Sequence, residues 1–66
     1  MTNARFLRLP EVQERISLSK AQIYNSISLG EFPPQIKLGD RASAWLESEV
    51  DQWIDERIRV SREGEL

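Results

Sequence analysis

Apolar residues recur at helical spacing in three stretches of the chain, and a strand-like stretch lies between the second and the third. In the first stretch, Leu9, Val12 and Ile16 are three and four residues apart and therefore share one side of a helix. Pro10 suits the first turn of that helix, because the N–H it lacks would be unsatisfied there in any case. The pattern predicts a short helix from about Pro10 to Arg15.

The second helix has the most complete start and stop signals in the chain. Ser19 and Gln22 have the spacing of a capping box, in which each side chain accepts the other residue's backbone N–H. Leu18 precedes the cap and can pack on Ile23 as a hydrophobic staple. Gly30 stands where a residue in the left-handed conformation would end the helix. We therefore expect a helix that begins at Ser19 and ends just before Gly30.

A β-hairpin is predicted after this helix. The Pro33–Pro34 pair excludes both a helix and a central strand, so the chain must turn there. Ile36–Leu38 and Ala42–Trp45 then flank Gly39–Asp40, which fits a two-residue hairpin loop with the glycine supplying a positive φ. Arg41 would stand beside the tip.

A last helix is predicted from about Glu47, with acidic residues in its first turn and an apolar side at helical spacing. The order is helix, turn, helix, hairpin, helix, which is mainly α with a small β-hairpin. We expect a single domain over residues 5–60, with loose termini at 1–4 and 61–66. The last helix would pack on the first two through a core of Ile23, Ile27, Phe32, Trp45 and Trp53.

Composition excludes several kinds of chemistry. The 66 residues include no cysteine and no histidine, so disulfides, thiolate metal sites and the commonest general base are absent. The carboxylates at the start of the last helix resemble a solvated helix face, and Asp55 fits an ion pair with Arg59. We expect no catalytic site, no metal and no small-molecule cofactor. No apolar run suits a membrane span, and we expect a soluble bacterial protein of the cytoplasm and nucleoid.

The charge of the chain is unevenly distributed. The net charge is −2, which by itself argues against a nucleic-acid partner. Residues 1–41 carry six basic and four acidic groups (+2), however, and residues 42–66 carry three basic and seven acidic groups (−4). The acidic excess therefore belongs to the last helix, and the segment before it can approach DNA.

The second helix carries the candidate DNA-reading residues. Asn25 could pair with adenine through two hydrogen bonds, and Ala21 could contact a thymine methyl group. Ser19 and Lys20 lie at the positive end of the helix, where phosphate binds readily. An amphipathic helix that merely exposes its polar side to water is the alternative. The candidate face consists of Ser19, Lys20, Ala21, Tyr24, Asn25 and Ser28.

Basic residues outside this helix add weaker candidates. Lys37 and Arg41 flank a hairpin tip small enough to enter a minor groove. Arg5 and Arg8 are possible phosphate contacts, which would set register without reading sequence. Arg15 is interpreted as an ordinary surface group.

The chain resembles the AlpA-type phage regulators from about Phe6 to Arg57. These are small DNA-binding proteins with a winged helix-turn-helix fold similar to MerR N-terminal domains, and the hairpin also resembles that of lambdoid excisionases. The resemblance implies that the helix from Ser19 enters the major groove, with contacts from Lys20, Gln22 and Tyr24 and from Arg41 on the wing. The matching segments are Phe6–Val12, Leu18–Lys20, Ile23–Tyr24, Ile27, Gly30–Pro33, Lys37–Gly39, Arg41, Trp45, Glu49–Val50 and Trp53–Ile54.

Two positions depart from the family pattern. Many relatives have Thr-Gly before the Leu-Ser pair, where this chain has Ile16 and Ser17, so the turn between the helices differs. Relatives often follow the tyrosine with arginine, whereas this chain has Asn25, which removes a strong phosphate or guanine contact.

Three functions follow as hypotheses. The first is a transcriptional regulator of a prophage or genomic island, bound to double-stranded DNA and acting on genes such as an integrase gene. The second is an excisionase that bends attachment-site DNA. In both cases, partners would be integrase or further copies of the chain on adjacent sites. The third is a protein-interaction module that uses Glu47, Asp51 and Asp55 on the outer side of the last helix.

Overall fold

The computed structural model describes residues 3–64. Its three helices and three short strands form the predicted winged helix-turn-helix, which is mainly α. The last helix continues to Glu63, so residues 61–63, expected in a loose tail, form helix instead. The rest of that tail beyond residue 64 and the first two residues lie outside the described part. In chain order the elements are β1 (Phe6–Leu7), α1 (Leu9–Ile16), α2 (Lys20–Ser28), β2 (Ile36–Lys37), β3 (Ser43–Leu46) and α3 (Glu47–Glu63).

Helix α1 and the turn that follows it set the angle of α2. The Glu11 carboxylate accepts the backbone N–H of Arg8 at 3.2 Å, which satisfies a donor just before the helix. At the other end, Ser17 has φ 57° and ψ 34°, and its N–H donates to the Gln13 carbonyl at 2.8 Å. The left-handed conformation ends α1 and turns the chain toward α2. Glycine adopts it without the strain that a Cβ brings.

The sheet contains one strand that was not predicted. β1 pairs antiparallel with β3, which also pairs antiparallel with β2, so the strand order is β1-β3-β2. Phe6 lies opposite Leu46, and Leu7 lies opposite Trp45. A strand of two residues has no readable alternation, and its partner lies in a distant part of the sequence. The apolar residues at the start of the chain therefore form the third strand of the sheet.

The core joins every element except β2. Trp45, Ile23 and Phe32 are buried, as predicted, whereas Ile27 and Trp53 are only half-buried around them. Leu7, Val12 and Val50 complete the buried cluster, from β1, α1 and α3 respectively, and were not in the predicted core. No helix among residues 3–64 is both long and apolar enough to cross a membrane.

Two tryptophans hold the segment that connects α2 to the hairpin. Trp53 Nε1 donates to the Glu31 carbonyl at 2.8 Å, and Trp45 Nε1 donates to the Pro33 carbonyl at 3.0 Å. Phe32, between these two carbonyls, packs edge-on against Trp53 with ring centroids 5.0 Å apart. The connection is thus fixed by side chains from β3 and α3, and this fixes the hairpin relative to α2.

Candidate nucleic-acid interface

The capping box predicted at the start of α2 is present. Gln22 Oε1 accepts the backbone N–H of Ser19 at 2.9 Å, and Ser19 Oγ accepts the backbone N–H of Gln22 at 3.1 Å. Gly30 has φ +75°, which confirms the predicted left-handed end. The cap uses one of the two lone pairs of Gln22 Oε1 and fixes this side chain, and its NH₂ group is left to donate to a base or phosphate.

The outward face of α2 carries most of the predicted contact residues. Ile23 is fully buried and fixes which side of the helix faces the core. Ser28 Oγ donates to the Asn25 carbonyl at 2.7 Å, so the Ser28 hydroxyl proton is committed to the helix itself. The Asn25 side-chain amide has no partner among the described residues. The exposed predicted residues of the helix and its cap are Ser19, Lys20, Ala21, Gln22, Asn25 and Ser28.

Tyr24 differs from the other predicted contact residues because it is half-buried. Its ring packs edge-on against the fully buried Trp45, with centroids 6.2 Å apart. The sequence pattern placed Tyr24 on the polar side of α2, whereas its ring extends the core toward β3. The phenol is therefore held in place by packing at the junction of α2 and the hairpin.

The hairpin loop has three residues, not the two that were predicted. Ile36 lies opposite Ala44, and the Leu38 N–H donates to the Ala42 carbonyl at 2.7 Å, so Gly39 to Arg41 form the loop. The register is centred on Asp40 and therefore leaves an odd number of residues in the turn. Gly39 does not adopt a positive φ, so that expectation was wrong. Arg41 lies within the tip rather than beside it.

A cleft between α2 and the hairpin brings three predicted contact residues together. Arg8, Tyr24 and Arg41 all line it, and the rest of its lining consists of Leu9, Pro10, Ser43 and Trp45. Arg8 precedes α1 and lies far from Arg41 in the sequence, so only the fold reveals that they share a site. Lys37 lies opposite Ser43 in the sheet and therefore projects from the same face as that cleft-lining residue. Two arginines and a tyrosine around one cleft suit an anionic ligand such as a DNA phosphate.

The six basic residues that precede α3 divide into two groups. Arg15 is held by Glu47 at 2.7 Å and by Asp51 at 3.1 Å, and Arg5 lies 3.4 Å from Glu47 and 3.6 Å from Glu11. A phosphate contact by Arg5 would have to compete with these carboxylates. Within the described part of the chain, no ion pair involves the second group, which consists of Arg8, Lys20, Lys37 and Arg41.

Two carboxylates near the start of α3 are consequently paired with an arginine of α1. Glu47 and Asp51 both contact Arg15, so two of the three carboxylates named in the interaction-module hypothesis already have a partner, although the Asp51 side chain is still 55% exposed. The expected ion pair of Asp55 with Arg59 does not form within residues 3–64, and Asp55 stays exposed. The free positive charge of residues 3–41 lies on α2, the hairpin and the N-terminal side of α1.

A sequence profile described as "Prophage CP4-57 regulatory protein (AlpA)" matches residues 5–58, which include α1, α2, the hairpin and most of α3. The chain belongs to the AlpA family. This confirms the resemblance that the spaced residues indicated, and it makes the chain a regulatory protein rather than an enzyme.

Two relatives of this AlpA-family chain cover nearly all of it. The uncharacterized protein ORF88 of Enterobacteria phage P4 is 48% identical over 64 residues, which are 97% of this chain and 73% of the phage protein. The DNA-binding transcriptional activator AlpA of Escherichia coli (strain K12) is 31% identical over 62 residues, covering 85% of this chain and 89% of that protein. Both are similar to this chain through the helix-turn-helix and the hairpin together.

Proposed function

We propose that this chain is a sequence-specific DNA-binding transcriptional regulator of a prophage or genomic island, active on bacterial double-stranded DNA in the cytoplasm. The observation that carries the proposal is the grouping of free cations around a capped helix and a hairpin, with Arg8, Tyr24 and Arg41 around one cleft. Similarity to a DNA-binding transcriptional activator supports it. The regulated genes would include a mobile-element gene such as an integrase gene.

In this proposal the two parts of the interface have different tasks. α2 enters the major groove and reads bases through Asn25 and Ala21, while Lys20 and the cap at Ser19 meet a phosphate. The hairpin lies over the neighbouring backbone or minor groove, with Arg41 at its tip. Because the tryptophans fix the connection between α2 and the hairpin, these two elements contact the duplex as one rigid unit.

The experiment is selection of bound duplexes from a random-sequence pool, followed by fluorescence anisotropy with the selected duplex. We expect one motif to be enriched, and Lys20→Ala or Arg41→Ala to weaken binding about tenfold, the size expected when a charge-assisted contact is lost. Arg59→Ala removes the same charge from α3 and is the matched control: on a duplex that holds a single copy, we expect its affinity to be unchanged. Absence of an enriched motif, or equal losses in all three variants, would refute the assignment.

One observation favours the excisionase as a second candidate. Leu38 is 45% exposed at the edge of the hairpin tip, next to Lys37. An apolar side chain on a basic minor-groove element can wedge between base steps and kink the duplex. Energy transfer between dyes at the two ends of a bound duplex would measure bending, with Leu38→Ser expected to straighten it. Leu29→Ser, a second exposed leucine at the end of α2, is the control.

Bending alone does not separate the two roles. An excision assay with the cognate integrase and attachment sites would show recombination that depends on this chain if it is an excisionase. A promoter reporter would respond instead if it is a regulator only. If Leu38→Ser bends the duplex as much as the wild type does, Leu38 is not a wedge, and its exposure no longer favours the excisionase.

A further inference from the structure

Helix α3 continues well beyond the core of the protein. Val50 is buried and Ile54 packs partly against the core cluster, but every residue from Asp55 to Glu63 is exposed. At about 1.5 Å per residue, these last two and a half turns project roughly 13 Å from the body of the domain. The projecting part of α3 therefore contributes little to this domain's own core.

One side of the projecting segment has a simple pattern. At 100° per residue, Asp55, Ile58 and Arg62 lie on the same side of the helix, and Ile58 lies between the other two along the helix axis. Ile58 is 44% exposed, and these three side chains line one shallow depression together with Arg59 and Glu63. Within residues 3–64, neither Asp55 nor Arg62 has an ion-pair partner. The side thus presents an unpaired acid, an exposed isoleucine and an unpaired base in that order.

This order is complementary to itself when one helix is reversed. In an antiparallel pair centred on Ile58, Asp55 of each copy faces Arg62 of the other, and the two isoleucines meet between the ion pairs. A parallel pair would place like charges opposite each other. We propose that the Asp55–Arg62 side of α3 is a contact surface for a second copy of this chain, packed antiparallel about Ile58.

The size of this surface determines when the contact forms. A contact over two and a half helical turns falls short of the roughly 1,200 Å² that stable interfaces bury. Two copies held on neighbouring sites of one duplex, by contrast, meet at an effective concentration that reaches the millimolar range. The pairing therefore acts as a cooperative contact between DNA-bound copies, and in this respect it rests on the proposed DNA-binding function.

The absence of cysteine from the sequence allows a direct geometric test. Ile58→Cys should form a disulfide-linked dimer under mild oxidation on a duplex of about five helical turns, because the pairing brings the two Ile58 positions within disulfide reach. Val60→Cys is the matched control: Val60 is 50% exposed but lies on the opposite side of α3. Dimers from Ile58→Cys alone support the surface; equal yields from both variants, or none from either, overturn it.

Charge exchange tests the direction of the pair. Asp55→Arg and Arg62→Asp should each lower the per-site affinity on a five-turn duplex relative to a duplex of about one turn (roughly 10 bp). The double exchange should restore that ratio, because it rebuilds both ion pairs in reverse. Ratios unchanged by the single variants would overturn the antiparallel contact. Wild-type binding to the one-turn duplex tests the proposed function separately, since a single bound copy has no neighbour.

Discussion

The salt dependence of DNA binding can be predicted from the division of the basic residues into two groups. Arg8, Lys20, Lys37 and Arg41 have no ion-pair partner in the described part of the chain, whereas Arg15 is bound to carboxylates. Each cation that neutralises a phosphate contributes about −0.9 to the slope of log K against log salt concentration, so four give about −3.6. A fourfold rise in salt should then weaken binding about 150-fold.

Anisotropy titrations at several KCl concentrations measure this slope directly. Replacing any one of the four free cations by alanine should reduce the magnitude of the slope by about 0.9. Arg15→Ala should leave the slope near its original value, because that guanidinium is already neutralised by Glu47 and Asp51. Arg59→Ala controls for net charge. A slope near zero, or an equal reduction in Arg15→Ala, would refute the division into free and committed cations.

Three further predictions concern stability and are measured by urea unfolding. Ser17→Gly should raise the free energy of unfolding by about 0.5–1 kcal/mol, because glycine adopts the left-handed turn without strain and the relief of strain exceeds the cost of glycine's greater unfolded-state entropy. A loss of stability would show that the Ser17 backbone is not strained. Ser19→Ala should lower it by about 1 kcal/mol through loss of the cap on Gln22, and Ser61→Ala on the exposed end of α3 should change it little. Trp53→Phe should cost at least about 1 kcal/mol, since the Glu31 carbonyl loses its donor; an unchanged midpoint would show that this bond does not hold the connection.

The parts of the fold that were predicted correctly are those whose sequence signals lie close together along the chain. Ser19 and Gln22 mark the start of α2, and Gly30 marks its end. The acidic first turn of α3 begins at Glu47, directly after β3. Each of these signals is a local hydrogen-bonding or backbone preference, so sequence spacing alone reveals it. The order of the elements followed from them.

The features that were missed depend on contacts between distant parts of the chain. β1 forms because Leu7 pairs with Trp45 of β3, and two residues are too few to show the alternation that predicts a strand. The loop length depends on the register of β2 against β3, in which Ile36 lies opposite Ala44, and Gly39–Asp40 suits a loop of two or of three residues. The partial burial of Tyr24 likewise depends on Trp45. The distinction between free and committed arginines also required the fold, because Arg15 and Glu47 are 32 residues apart in the sequence and meet only in the folded chain.

The two tryptophans also give the protein an internal optical signal. Trp45 is fully buried and touches Tyr24 at the cleft, while Trp53 is half-buried under the guanidinium of Arg57. Their indoles therefore emit from environments of different polarity and differ in access to a quencher. A ligand that enters the cleft should alter the emission of Trp45 first, whereas unfolding should change both, so unlabelled protein can report binding and denaturation as separate events.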